Sequence, residues 1–345
     1  MFLLLDFHSP LHQNLPRNFP LLSVSLSLSL SLDVYTLYIV HNLREFTEFQ
    51  LRFHCFVLQI RFLDSVFAPE AMKIETTLIV FFSLLLFSLH LSSISAQEVE
   101  DESEFDYREG SEKGPRHWGK IKKEWEACNN GVLQSPIDLS SERVKIVPKF
   151  GDLKRSYKPC NATIKNRGHD ISVYWVGKAG SIKVNGVVYD LQQAHWHSPS
   201  EHSINGRRYD MELHMVHQSS NPNVKNKIAV VGQLYTIGEP EPFLAQFSKQ
   251  ISSMIDREHE VGIGEIDPAD IKFGGKKYYK YLGSLTVPPC TEGVIWAINK
   301  KIRTVSHEQV QLLREAVHDY ADRNVRPLQR LNNREVNILS TSRGS

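Results

Sequence analysis

The stretch Gln192-Gln-Ala-His-Trp-His-Ser-Pro-Ser-Glu-His202, followed by Glu212-Leu-His-Met-Val-His217, decides how this chain is read. His195 and His197 are separated by one residue, and in a β-strand side chains i and i+2 share a face. Asn205-Gly206 lies between this pair and His214, and Asn-Gly is a strong hairpin signal. A chain turning there brings the strand of His214 back beside that of His195 and His197. Three imidazoles on one sheet face supply three legs of a tetrahedral zinc site. The fourth leg stays open for water, the arrangement of a catalytic site rather than a structural one.

The rest of the chain sets bounds. Its 345 residues are 41% hydrophobic with a formal net charge of +1, which describes a globular protein and not a disordered one. The near-neutral balance gives no electrostatic case for nucleic acid. Four cysteines are too few for a disulfide-dense scaffold, and their spacing is not that of a zinc finger.

The first 96 residues differ from the remainder. Met72 opens a basic start at Lys73, an apolar core from Leu78 to Leu91, and small residues at Ser93, Ser95 and Ala96. That is the form of a secretory signal peptide over 72–96, cleaved near Ala96. A membrane anchor is the alternative, but the apolar run is shorter than the ~20 residues of a span, so no span is expected in the mature chain. Residues 1–71 precede this signal and contain an alternating Ser-Leu tract, Ser23–Leu32, which a CT dinucleotide repeat would encode. They read as untranslated leader in frame or as a disordered extension. An organellar transit peptide fits less well, because Asp6, Asp33, Glu45, Glu48 and Asp64 are present. Residues 97–104 are acidic and expected to be flexible, the folded domain is expected over 105–339, and 340–345 read as a tail.

Within the domain, β-branched and aromatic runs recur between turn residues, as in Ile171–Val176, Met211–His217, Ile228–Tyr235 and Val294–Ile298. This predicts a mainly β domain with hairpins. Two stretches read as helices: Phe243–Ile255, and Ser306–Tyr320 with Ser306 as its N-cap.

Taken with Ser200-Glu201-His202, the histidine pattern resembles the α-class carbonic anhydrases, in particular the secreted plant-type members. Further pieces agree in order: His117-Trp-Gly119, Gln134-Ser-Pro-Ile137, Arg167-Gly-His169, Ser284-Leu-Thr-Val-Pro-Pro289, Val294–Asn299 and Asn324-Val-Arg-Pro327. The resemblance spans roughly 105–335. It implies a single domain with a large, mostly antiparallel twisted sheet and small peripheral helices. It also implies reversible hydration of CO2 to bicarbonate by attack of a Zn2+-bound hydroxide.

The same resemblance assigns residues. His195, His197 and His214 match the zinc ligands. Thr286 and Glu201 match the pair that orients the hydroxide, and His169 matches the proton shuttle. Gln193 and Glu212 match the partners that hold ligand imidazoles. Val216, Val230, Leu285 and Trp296 match the apolar wall where CO2 rests. Val287 joins that pocket where many animal members carry a second threonine, and Arg167 puts a positive charge beside His169, which would lower its pKa. Cys128 and Cys290 match a disulfide of secreted members, which leaves Cys160 unpaired beside Asn161-Ala-Thr163, an acceptor sequon.

Other readings stay open. His202 and His217 read as packed, hydrogen-bonded residues, and His117, His259, His307 and His318 as surface or peripheral ones. A storage or binding protein of the same fold, or a zinc esterase, would share much of the pattern.

Overall fold

The two histidine strands lie side by side. In the computed structural model, Val187–His197 pairs antiparallel with Met211–Gln218, and His195 stands directly opposite His214. Asn205-Gly206 does turn the chain, with both residues at positive φ, but it closes only a two-residue ribbon, Ser203–Ile204 against Arg207–Arg208. The histidine strands are thus joined by a longer connection that holds this ribbon, and the sheet register itself sets His195 against His214.

The structure describes residues 104–341 apart from 152, 256, 258 and 274. The expectations for 1–71 and 72–96, most of 97–104, and 342–345 lie outside the described residues. The strands are β1 (Val144–Gly151), β2 (Lys154–Tyr157), β3 (Cys160–Asn166), β4 (Ile171–Trp175), β5 (Gly180–Val184), β6 (Val187–His197), β7 (Ser203–Ile204) and β8 (Arg207–Arg208). They continue as β9 (Met211–Gln218), β10 (Ile228–Ile237), β11 (His259–Ile266), β12 (Lys277–Ser284), β13 (Glu292–Asn299), β14 (Arg303–Val305) and β15 (Val336–Thr341).

Thirteen strands form one sheet, in the order β1-β15-β12-β13-β10-β9-β6-β4-β3-β11, with β14, β2 and β5 attached at its flanks. Most pairings are antiparallel, but β1 with β15 and β10 with both β13 and β14 run parallel, so the sheet is mixed. The last strand runs to Thr341, into the stretch expected to be tail.

Strand alternation divides the core between the two sheet faces. On β10, Ala229, Val231 and Tyr235 join the apolar cluster that contains Trp196, Phe243 and Phe247. Val230 and Leu234 join the other, with Trp296, Leu285 and Ile298. Trp196 therefore points away from its neighbours His195 and His197, and its ring lies 6.3 and 6.4 Å from those of Phe243 and Phe247. Gly232 stands opposite His214. A Cβ there would fall 2.4 Å from Ile298 Cδ1 and 3.3 Å from Glu212 Oε1, so only glycine leaves room beside the carboxylate that His214 uses.

The small helices are α1 (Trp118–Ile121), α2 (Ala127–Asn130), α3 (Pro242–Ala245), α4 (Ser248–Ser253) and α5 (His307–Ala316). The helix expected over Phe243–Ile255 is two short ones. Between them the chain tightens, with Gln246 and Phe247 donating to carbonyls three residues back. Ser306 caps α5 in a capping box with Gln309. That helix ends at Ala316, not Tyr320. Asn166 Nδ2 donates to the Ala316 carbonyl at 2.6 Å and His318 N donates to Gly168 O at 3.0 Å, which draws the chain off the helical path. Among the described residues no helix is long and apolar enough to cross a membrane.

Candidate metal centre

Each of the three histidines has one nitrogen tied back and one left to converge. His195 Nδ1 donates to Gln193 Oε1 at 2.8 Å, His197 Nδ1 to the Asn324 carbonyl at 2.7 Å, and His214 Nε2 to Glu212 Oε1 at 2.9 Å. These bonds fix the tautomers. The lone pairs of His195 Nε2, His197 Nε2 and His214 Nδ1 then face one another. His195 Nε2 lies 3.1 Å from His197 Nε2 and 3.3 Å from His214 Nδ1.

Such lone pairs repel unless a cation stands among them, and three neutral imidazoles suit Zn2+. All three side chains are buried. Burial holds His195 well below the usual imidazole range and lowers His214 too, so both stay neutral donors. His197 is buried as well, yet the Glu201 carboxylate and the Asn324 carbonyl more than offset that penalty and raise it. The residues present fit the metal.

A second group, His202, Glu212 and His214, is equally close. Its contacting atoms are already spent on each other: His202 Nδ1 donates to Glu212 Oε1 at 2.7 Å, the oxygen that His214 Nε2 also uses. His202 Nε2 accepts from Tyr281 Oη at 2.7 Å, and Tyr281 Oη lies 2.8 Å from Ser135 Oγ. This cluster is scaffold for His214. Burial opposes ionisation of Glu212, but His202 and His214 hold its carboxyl well below the usual range. His217 is also structural, accepting from Tyr157 Oη at 2.9 Å.

Glu201 is buried and two-sided. Its Oε1 accepts from the Arg326 backbone N–H at 3.0 Å. Its Oε2 has no hydrogen-bond partner among the described residues and lies 3.7 Å from His197 Nε2. Thr286 is buried in the turn after β12, next to Leu285 and Val287, and its hydroxyl makes no hydrogen bond to Glu201 Oε2 in this structure. Trp296, Leu285, Val230 and the half-buried Val216 share the apolar cluster on the histidine side of the sheet, while Val287 packs with the other cluster. The Trp296 ring sits 4.8 Å from that of His214.

His169 is 1% exposed, and neither ring nitrogen has a hydrogen-bond partner among the described residues. Its ring lies 5.1 Å from Phe105, and its Nε2 is 3.7 Å from Asp170 Oδ2. Arg167 does not stand free beside it. The guanidinium donates to both carboxylate oxygens of Asp170, through Nε at 2.7 Å and through Nη2. Burial lowers His169 to about 4, against the pull of Asp170; Arg167 adds a smaller push in the same direction as burial.

Cys128 and Cys290 are disulfide-bonded. Cys290 follows Thr286 closely in the chain, so the bridge ties that turn to α2. Cys160 is free and half-buried, its Sγ donating to Val176 O at 3.4 Å, and Asn161 beside it is exposed.

Sequence reasoning missed Asn324 and Arg326 as parts of the site. Asn324 offers its carbonyl to His197, and its side chain spans His169 O, Trp196 O and Ser198 N. Arg326 gives its N–H to Glu201, while its guanidinium binds Gln134 Oε1, Ser135 O and Cys128 O. The only signal was the motif Asn324-Val-Arg-Pro327, which carries no spatial information by itself.

A mixed β-sheet bearing three convergent buried imidazoles, each with a fixed tautomer, forms a candidate metal site of the carbonic anhydrase type. A family model described as eukaryotic-type carbonic anhydrase matches residues 113–340, and the chain belongs to that family. It is 51% identical over 265 residues to alpha carbonic anhydrase 7 of Arabidopsis thaliana, covering 75% of this chain and 95% of that one. It is 54% identical over 256 residues to carbonic anhydrase Nec1 of Nesocodon mauritianus, covering 74% and 92%. Among solved structures, dioscorin complexed with ascorbate aligns with a TM-score of 0.66 at 41% identity, covering 70% of this chain and all of that one. The chain is accordingly an enzyme, a carbonic anhydrase.

Proposed function

We propose that this chain hydrates CO2 reversibly at a Zn2+ ion held by His195 Nε2, His197 Nε2 and His214 Nδ1. The observation that carries this reading is the convergence of those three lone pairs, with every outward nitrogen already bonded. When bound, Zn2+ supplies a nucleophile at neutral pH by acidifying its water; carbonic anhydrase is the standard example of this effect, and the bound-water pKa of about 7 is a value of the enzyme class, not one read from this chain.

The chain's own residues do the rest. Gln193, Asn324 and Glu212 hold the imidazoles in place. Glu201 Oε2 is the open acceptor for the Thr286 hydroxyl proton. With that proton committed, Thr286 Oγ1 can only accept a hydrogen bond from the attacking oxygen, and so fixes its orientation. Val216, Val230, Leu285 and Trp296 give CO2 an apolar resting place, while Val287, expected to join that pocket, packs with the other cluster. His169 is the imidazole proposed to take the released proton on a ring nitrogen and pass it outward, and because burial lowers it to about 4, it must gain water contact to hold that proton near neutral pH.

The secretory signal over 72–96, the Cys128–Cys290 bridge and the exposed sequon at Asn161 support a glycosylated protein in the secretory route. The extracellular wall space is the first destination proposed, with a plastid reached by that route as the second. Residues 1–71 are proposed not to be translated; a peptide from them in protein extracts would overturn that.

The test is CO2 hydration by the secreted protein, before and after chelation, with metal content measured alongside. Activity that tracks one zinc per chain is expected. Bound zinc without hydration would overturn the reading in favour of a binding protein of this fold.

A further inference from the structure

A strongly one-signed surface lies where β12 begins and β13 ends. Lys276 and Lys277 enter β12, Lys300 and Lys301 leave β13, and all four side chains are exposed. Lys300 N donates to Lys277 O at 2.9 Å, which sets the two lysine pairs abreast. Gly275 turns the chain at φ +85 and lies against Lys301: a Cβ on the glycine would fall 3.4 Å from the Lys301 Cβ. Together Gly275 and the four lysines line a surface hollow of about 360 Å³.

None of these four ammonium groups has a hydrogen-bond or carboxylate partner among the described residues. Lys272 nearby is different, with Asp270 at 3.4 Å. The sequence keeps acids away: Glu292 is the single acidic residue between Asp270 and Glu308. In a chain of net charge +1, this is a local excess and not a global one. Like charges held together repel by about 1 kcal/mol per pair at 4 Å even in water, so the cluster favours whatever neutralises it.

The chemistry selects the partner. Lysine ammonium groups are hydrated point charges that take carboxylate or phosphate oxygens without a fixed fork, and no arginine lines the hollow to demand bidentate geometry. No aromatic side chain lines it to stack a base, and no apolar one to seat in a bilayer. We infer that this lysine corner docks an acidic polysaccharide, a linear polyuronate. Along β12 it is about 23 Å, seven residues at ~3.3 Å, from Ser284 at the metal-side end. Docking would hold the enzyme to a matrix and leave the metal centre free.

The experiment measures binding of the purified full-length secreted protein to polygalacturonate across a salt series, with dextran as the neutral control. Binding to polygalacturonate and not to dextran is expected, with log K falling by up to about 3 per decade of salt, if each of four contacts releases counterions as on a single-stranded nucleic acid, ~0.7 each. The variant K276Q/K277Q/K300Q/K301Q should bind at least tenfold more weakly with a flattened salt slope, and hydrate CO2 as the parent does. A control, K120Q/K183Q/K225Q/K249Q, removes the same charge from exposed sites elsewhere and should bind nearly as the parent. Equal losses in both variants, no loss in the first, or tighter binding to single-stranded DNA or phosphatidylserine vesicles than to polygalacturonate would each overturn the inference. Binding is read without turnover, so a failed hydration assay leaves this result interpretable.

Discussion

The two sides of the candidate metal centre, the proposed ligand side and the proposed reacting side, are built on opposite plans. On the ligand side, β6 and β9 carry the histidines, and every outward nitrogen is satisfied by Gln193, Glu212 or Asn324. On the reacting side, Glu201 Oε2 and both nitrogens of His169 are buried without partners among the described residues. Buried polar atoms are normally paired, because an unmet hydrogen bond costs about 1–3 kcal/mol. In the proposed mechanism the contrast separates groups that hold the imidazoles still from Glu201, left open as an acceptor, and His169, left open to take a proton.

The largest effect should come from the ligand side. His214→Ala leaves two imidazoles, and metal content by mass spectrometry and hydration should both collapse. Retained zinc and retained activity would break the contrast at its root. On the reacting side, Thr286→Ala should keep zinc yet lower kcat/KM by on the order of 10²–10³, the scale of one lost orienting hydrogen bond. If zinc is lost as well, Thr286 belongs to the holding side.

Loosening one tie behind a ligand is milder. Glu212→Gln should weaken zinc binding by roughly 10–100-fold, read by chelator competition, with less effect on turnover once zinc is saturating. His169→Ala should slow turnover by about tenfold or more in weak buffer only, with recovery in imidazole buffer; equal rates in both buffers would remove His169 from proton transfer.

A final comparison concerns pH. Burial lowers His169 to about 4 and His217 to about 3. The unfolded chain takes up those protons near pH 6.5, before the folded one does. Stability is therefore complete above that pH and is lost as pH falls toward 4, by about 3 kcal/mol for each group. Urea midpoints of the metal-free protein at pH 7 and pH 4.5 check this, and an unchanged midpoint would show that neither imidazole is kept neutral.

Much of the holding side is legible in the sequence because it follows local periodicity. His195 and His197 share a strand face by spacing alone, and Gln193 and Glu212 sit two residues from the ligands they orient. The reacting side is less legible. Glu201 meets Arg326 across a separation of 125 positions, and His197 meets Asn324 across 127. Asn205-Gly206 is legible as a turn, but it closes β7 on β8 and not the histidine strands.

By itself, the sequence determined the residue types, the strand alternation, the capped helix at Ser306 and the family. These depend on chemistry and short-range geometry. Tertiary structure alone decided which nitrogen of each histidine faces inward, that Arg167 is committed to Asp170, and that His169 is buried. It also brought four lysines from two separate segments together with no carboxylate partner among the described residues. Each of these is set by which strands become neighbours in the sheet, and burial then sets the cost of every unpaired charge.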